Sequence, residues 1–427
     1  MGNCIGFGEY NKNTKYLIYY IIFNFLYIGI SGLAYGSLYY PIKFYKKQEV
    51  INNHNLIIEI FGYFGIFLLS FILIKYEPDN LSKKYVFDKD SSTIKLVVED
   101  KTTFRKNKSD IFLVAFTWLL HIQLVNIYYK SDFGYLDYWA CEMIITYYIS
   151  KNMFNMQIYS HQKFAIGFIT IFCSSLIFCT FMYTIENQKD IIYRRYPACI
   201  PIGIILYLII LFIRAYSNCK IKWLTDLKYI STGKLLSIYG IVGVILNLII
   251  CTITTLVDCG KNKLNLCYME KDGKPYYENF IIFFDEYFRD SFKFIDIILL
   301  IFIIIFKFFT SLFYVLTIKY LTPFYAVCLP SIYYFLLQVI LLFNTLIQHK
   351  TYIITNNLPK VCIEILTDFF SILGIFVYIE FIEIKICHLN YNTRRKIRAR
   401  SIRDTEIKEI RDMKEIFNDE DEYVLFI

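Results

Sequence analysis

The chain has 427 residues, 56% of them hydrophobic, and a mean hydropathy of +0.44. That composition excludes an ordinary soluble protein and makes lipid the solvent for most of its length. The net charge of +8 sits in tails and loops, where basic residues face the anionic cytoplasmic leaflet, and it gives no ground for nucleic acid as a partner.

Residues 1–14 form a polar tail with no cleavable leader in view, and this tail is expected to stay in the mature protein. Its start, Met1-Gly2-Asn3-Cys4-Ile5-Gly6, has the outline of an acylation signal, with Gly2 for myristate and Cys4 for palmitate. Position 6 is glycine where such signals carry serine or threonine. A helix needs roughly 20 mainly apolar residues to cross the hydrocarbon core. Ten such runs follow, near Tyr16 to Tyr40, Leu56 to Ile74, Asp110 to Tyr128, Tyr135 to Ser150, Phe164 to Thr184, Ala198 to Tyr216, Leu235 to Val257, Phe294 to Leu316, Phe324 to Leu346 and Cys362 to Ile384. The fourth is short and polar, so the count is nine or ten.

An even count puts both termini on one side, and the basic run Arg394, Arg395, Lys396, Arg398 and Arg400 after the last span places that side in the cytoplasm. Lys75 to Ser109 is then a cytoplasmic loop, where the sequon Asn107-Lys108-Ser109 stays silent. The loop Asp258 to Asp290 is lumenal or external. Its Cys259 and Cys267 either pair, given an oxidising compartment, or remain free. The other cysteines are scattered, several in apolar runs (Cys173, Cys179, Cys251), with no zinc or iron-sulfur spacing, so neither a metal nor a cofactor is expected. Tyr276 to Phe292 reads as an interfacial amphipathic helix, and residues 390–427 as a charged cytoplasmic tail.

Ionisable residues at membrane depth are costly unless they face a bundle interior, so each is a candidate for function. Lys307 interrupts the run Ile301 to Phe309 in the middle of the eighth span, as a contact for an anionic solute or as half of a structural ion pair. Glu142 in the fourth span and Asp368 in the tenth are its candidate partners, with an ordinary helix-end charge as the plainer reading of each. Tyr314 and Gln338 are candidate neutral contacts. Arg214 reads as a side chain that snorkels to the cytoplasmic surface. Asn24, His121, Gln123, Asn247, Gln338 and Asn344 read mainly as interhelical hydrogen-bonding groups, His121 and Gln123 lying on different faces of the third helix. Glycines at 29, 32 and 36, 62 and 65, and 240 and 243 are spaced for close helix packing. There is no HExxH, no Gly-rich phosphate loop and no GxSxG, and the chain is not expected to be an enzyme.

Three connections carry a resemblance. Asn152-Met153-Phe154-Asn155-Met156-Gln157-Ile158-Tyr159-Ser160-His161-Gln162 leads directly into the fifth span. Lys222-Trp223-Leu224-Thr225-Asp226 runs through Ser231 to Gly240-Ile241-Val242-Gly243. Lys319-Tyr320-Leu321-Thr322-Pro323 links the eighth and ninth spans tightly. In order and spacing, residues 15–389 resemble the drug/metabolite transporter superfamily, within it the solute carrier family 35 and nucleotide-sugar-transporter-like branch. The two long loops depart from that pattern, and no nucleotide-sugar signature is matched. The resemblance implies an all-α, multi-pass fold of about ten transmembrane helices in two inverted five-helix halves, residues 15–184 and 198–389. It implies a secondary transporter that moves a small polar or anionic solute across a eukaryotic membrane by alternating access. The candidate solute-binding residues, taken from depth and charge rather than from the resemblance, are Lys307, Glu142, Tyr314, Gln338 and Asp368. The partners are a small-molecule solute, membrane lipid and, as one option, a second copy in a homodimer. The location is an endomembrane of Golgi, ER or vacuolar type, or the plasma membrane. The competing reading is a non-transporting scaffold or receptor that acts through its charged C-terminal tail.

Overall fold

The computed structural model describes residues 5–7, 16, 18–24, 26, 55–76, 83–88, 93–98, 107–130, 139–154, 160–186, 199–226, 228, 230–257, 269–271, 274–289, 294–321, 323, 324, 326, 327, 335, 339, 365–367, 369–378 and 382–384. A helical segment at 18–24 is followed by α1 (Asn55–Tyr76), α2 (Lys108–Lys130), α3 (Trp139–Phe154), α4 (Ser160–Glu186), α5 (Cys199–Asp226), α6 (Thr232–Leu256), α7 (Phe280–Arg289) and α8 (Phe294–Tyr320). A shorter apolar helix covers Ile365–Tyr378. Among the described residues, five helices, α1, α2, α5, α6 and α8, are long and apolar enough to cross a membrane. Their outer faces carry exposed Phe71, Ile72, Ile205, Phe212, Ile245 and Ile253, as lipid-facing surfaces do. The protein is a helical, multi-pass membrane protein.

The strands are short. Residues Lys83–Asp88 (β2) and Thr93–Val98 (β3) form a hairpin inside the long loop after α1, and Met269–Lys271 (β4) and Lys274–Tyr276 (β5) form a second one before α7. The first strand, β1 (Ile5–Phe7), pairs antiparallel with the last, β6 (Ile382–Ile384). The expected tenth span, Cys362 to Ile384, is corrected at its end, where the chain leaves the helix at Tyr378 and is extended at 382–384. The sixth is corrected too: α5 continues to Asp226, and Lys222 to Asp226 belong to the helix rather than to a connection. Lys220 and Lys222 end the apolar run, but lysine is a good helix former; hydropathy marks the membrane edge, not the helix end. In the same way Asn152 to Phe154 close α3, which leaves only 155–159 before α4.

The largest core joins α1, α2, α6, α8 and the end of α5 through Tyr63, Ile66, Ile111, Leu119, Leu224, Leu236, Tyr239 and Val315. A second, built on Met143, Ile166, Ile169, Phe324, Val327 and Ile375, joins α3 and α4 to the C-terminal part of the chain. The tightest contact is α1 on α6. A Cβ on Gly240 would lie 2.6 Å from the Phe67 nitrogen and 2.9 Å from the Tyr63 carbonyl oxygen, and one on Gly243 would lie 2.5 Å from the Tyr63 ring. Gly62 and Gly65 face Lys307 and Ile304 of α8 in the same manner. At Gly240 only hydrogen in place of a side chain lets the backbones meet, and at Gly62, Gly65 and Gly243 it makes room for the Lys307, Ile304 and Tyr63 side chains, so the packing role read for these four glycines holds. Gly29, Gly32 and Gly36 lie outside the described residues.

The two ends of the bundle differ. At one, Trp223 has the Lys220 and Lys228 ammonium groups 4.4 and 4.9 Å from its ring centroid. There the Lys222 ammonium donates to the Lys319 carbonyl, and Tyr16 stacks on Tyr320 at 4.6 Å. Ser231 accepts from the Lys234 N–H at 3.3 Å and caps α6. Ser231→Ala is expected to cost about 1 kcal/mol, read as a small drop in the thermal midpoint of the purified protein. At the other end the buried Glu278 carboxylate accepts the Leu56 N–H at 3.2 Å, closing the start of α1. Asn279 caps α7 by accepting from Ile281 and Ile282, and the Thr255 hydroxyl accepts the Phe280 N–H. Burial, aided by the neighbouring Glu278 carboxylate, pushes the Tyr277 phenol up to about 12. These capping groups occupy 277–279, which is why α7 begins at Phe280 rather than at Tyr276. It is amphipathic as expected, with Ile282 and Phe283 turned inward and Ile281 and Phe284 outward.

Candidate functional site

Lys307 is the fourteenth of the 27 residues of α8. Its ammonium meets the Glu59 carboxylate of α1 at 3.0 Å, both side chains about 15% exposed or less (13% and 15%), and lies 5.4 Å from the Tyr63 ring centroid. Gly62 makes the room, since a Cβ there would press on the Lys307 Cγ at 3.3 Å. The second Glu59 oxygen has no hydrogen-bond partner among the described residues. The Tyr63 hydroxyl is also without a hydrogen-bond partner there, within electrostatic reach of Glu59 and Tyr239. Of the two candidate partners of Lys307, Glu142 is corrected: Lys307 pairs with Glu59, and Glu142 pairs elsewhere, while Asp368 lies outside the described residues.

Glu142 is fully buried and forms its own ion pair with Arg214 of α5 at 3.0 Å. Although it is only the fourth residue of α3, it meets the middle of α5, so it is no helix-end charge at the interface. Arg214 does not snorkel either: its side chain is 13% exposed and turned to Glu142. The Tyr314 hydroxyl donates to Asn218 Oδ1 at 2.6 Å and lies within electrostatic reach of Arg214. His121 is buried with its Nδ1 unpartnered among the described residues, and Arg214 acts on it across the space between α2 and α5. Buried Asn218 Nδ2, Thr146 Oγ1 and Ser217 Oγ also have no partner among the described residues.

An aromatic wall joins the two pairs. Tyr63 meets Tyr239 edge-on at 5.4 Å, Tyr239 stacks on Trp118 at 3.9 Å, and Trp118 leans on Tyr314 at 5.5 Å. Lys307 and Tyr314 are seven residues apart on α8, about 10 Å along its axis. The wall thus runs from one charged pair to the other through the interior. Gln123 turns away from this wall and donates to Asn247 Oδ1 at 2.6 Å, while the Asn247 amide donates to the Gly243 carbonyl at 2.8 Å, which is the interhelical role expected of both.

Of the other sequence candidates, Asp368, Gln338, Asn344, Gly2, Cys4, Cys259, Cys267 and the tail 390–427 lie outside the described residues. Glu59 was overlooked, although its signal was present as the one carboxylate in the run Leu56 to Ile74. Trp118, Tyr63 and Tyr239 are aromatic residues in a chain with 40 Phe and 39 Tyr, and nothing local distinguishes them. No protein-family model matches the chain, and a comparison with curated proteins finds no match either.

Proposed function

We propose that the protein is a secondary carrier that moves a small polar or anionic solute by alternating access, built as two inverted repeats in the manner of the drug/metabolite transporter superfamily. The observation that carries this reading is the interior itself. Two ion pairs and a set of unpartnered hydrogen-bonding atoms are held at membrane depth, where burying charge costs several kcal/mol per ion. A scaffold has no use for such a lining. A carrier needs one.

The helix contacts support the repeat layout. Exchanging the segment at 18–24 with α5, α1 with α6, and α2 with α8 carries several of the contacts onto one another. The packing of α1 on α8 becomes that of α6 on α2, the stacking of Tyr16 and Phe23 on α8 becomes the packing of α5 on α2, and α1 on α6 maps onto itself. The glycine pairs also correspond: Gly62 is seven residues after Asn55 and Gly240 eight after Thr232, each followed by a second glycine three residues on. The β1 to β6 pairing holds the two chain ends together, as an even number of crossings requires. The lysines around Trp223 favour the cytoplasm for the end they share with the α5 to α6 turn. Lys307, beside Tyr63 and Tyr239, is one cation we assign to solute contact.

Lys307→Ala in reconstituted vesicles is expected to abolish solute flux at normal expression. Its structural and solute roles separate in the double variant Glu59→Gln/Lys307→Ala, which removes both charges. If flux stays lost in the double variant, the lysine handles solute; if flux returns, Lys307 is a structural partner only and the assignment fails.

A further inference from the structure

Glu142 and Arg214 differ from the other pair in what surrounds them. The Glu142 side chain is fully buried, one carboxylate oxygen faces Arg214 at 3.0 Å, and the other has no hydrogen-bond partner among the described residues. Arg214 borders Tyr314 and His121, with Asn218 beyond them. Arg214 is a planar donor of five N–H groups that stays charged in any accessible pH range. Its partner Glu142 is a group that can be neutralised by a single proton.

We propose that Glu142 and Arg214 form one proton-linked anion site, in which protonation of Glu142 releases Arg214 to bind a carboxylate or phosphate group of the solute. The inference rests on the carrier reading. The step balances simply: one proton from water joins the unpartnered Glu142 oxygen, the ion pair opens, and the incoming anion supplies the charge that Arg214 has lost. Tyr314 stands beside the guanidinium and His121 within its electrostatic reach, and Asn218 Nδ2, without a partner among the described residues, adds a donor. Leaving, the anion returns Arg214 to Glu142 and the proton departs.

The charged and titratable groups around Glu142 come from each element packed near it. Helix α5 supplies Arg214 and, further along, Cys219, which is held by Ser150 at 3.2 Å. Helix α2 supplies His121 and α8 supplies Tyr314. Tyr20 of the segment at 18–24 acts through Arg214. On the opposite side α4 packs through Ile166 and Ile169, alongside Tyr378, with the buried His161 at its start. Among these described groups, Arg214 carries the charge opposite to Glu142.

Infrared titration of the purified full-length protein tests both halves, with sulfate as the probe because its charge does not change between pH 4 and 8. A carboxylic-acid C=O band should appear on acidification, vanish in Glu142→Gln, and move its midpoint to higher pH when sulfate is saturating. By reciprocity, sulfate affinity should rise about tenfold for each pH unit of acidification above that midpoint. In Glu142→Gln, sulfate binding should be tight and independent of pH. Should that variant not fold, Glu142→Asp keeps the acid and must shift both the band and its midpoint. A band unaffected by substitution at 142 overturns the proton assignment, and a midpoint indifferent to sulfate overturns the anion site. Solute flux that persists without the band sinks this inference alone. A titrating band in vesicles that move no solute from a broad panel sinks the carrier reading instead.

Discussion

Arg214→Ala is expected to destabilise the protein by about 3 to 5 kcal/mol, because it strands the fully buried Glu142 carboxylate without its counter-ion. The pair itself need not contribute much net stability, since desolvating two ions offsets most of their attraction. Its breakage is a different matter. The remaining charge keeps the whole desolvation cost, unless it takes up a proton. Two measurements therefore belong together. Detergent or thermal denaturation should show a large fall in midpoint for Arg214→Ala that lessens as the pH is lowered and Glu142 is neutralised. The double variant Glu142→Gln/Arg214→Gln, which removes both charges and keeps two amides of similar size, should recover most of the loss. A single variant as stable as the parent at neutral pH would mean that the two groups do not depend on each other.

Gly240→Leu should prevent recovery of folded protein, and even Gly240→Ala should cost about 1 to 3 kcal/mol through overpacking. The added Cβ meets backbone, at 2.6 and 2.9 Å from Phe67 and 2.9 Å from the Tyr63 carbonyl oxygen, and backbone cannot rotate away as a side chain can. Gly167 of α4 is the control, because a Cβ there meets nothing within 4 Å. Gly167→Ala should leave yield and thermal midpoint unchanged or slightly raised. Equal behaviour of the two alanine variants would remove the close crossing of α1 on α6 from the account of stability.

Hydropathy located the helices well because lipid imposes length and apolarity on a crossing segment, and each of α1, α2, α4, α6 and α8 overlaps an expected run closely. What hydropathy does not encode is where a helix ends in water, hence the ten residues of α5 beyond Tyr216. The β2 and β3 hairpin was legible in principle from Lys83-Lys84-Tyr85-Val86-Phe87-Asp88, a strand-forming run before the turn-rich Asp90-Ser91-Ser92, but it sat in a segment judged only by its polarity. For the site, depth made Lys307 and Glu142 visible as costly charges. Pairing was not visible, since one sequence holds several carboxylates and several cations, and only the helix arrangement decides which meet. Glu59 lies one turn inside α1, near enough to its start to pass for an end charge, until the fold sets Lys307 against it.

The glycine-mediated seam between α1 and α6 also constrains how the bundle can deform. These two helices belong to opposite halves of the chain, yet at Gly240 their backbones come within a methyl group's reach, and the Tyr63 ring fills the space over Gly243 and against Tyr239. In the proposed carrier, α1 and α6 are therefore expected to move together, with rearrangement where α3 and α4, which form a separate core, adjoin them; that would place Glu142 on one moving body and the aromatic wall on the other.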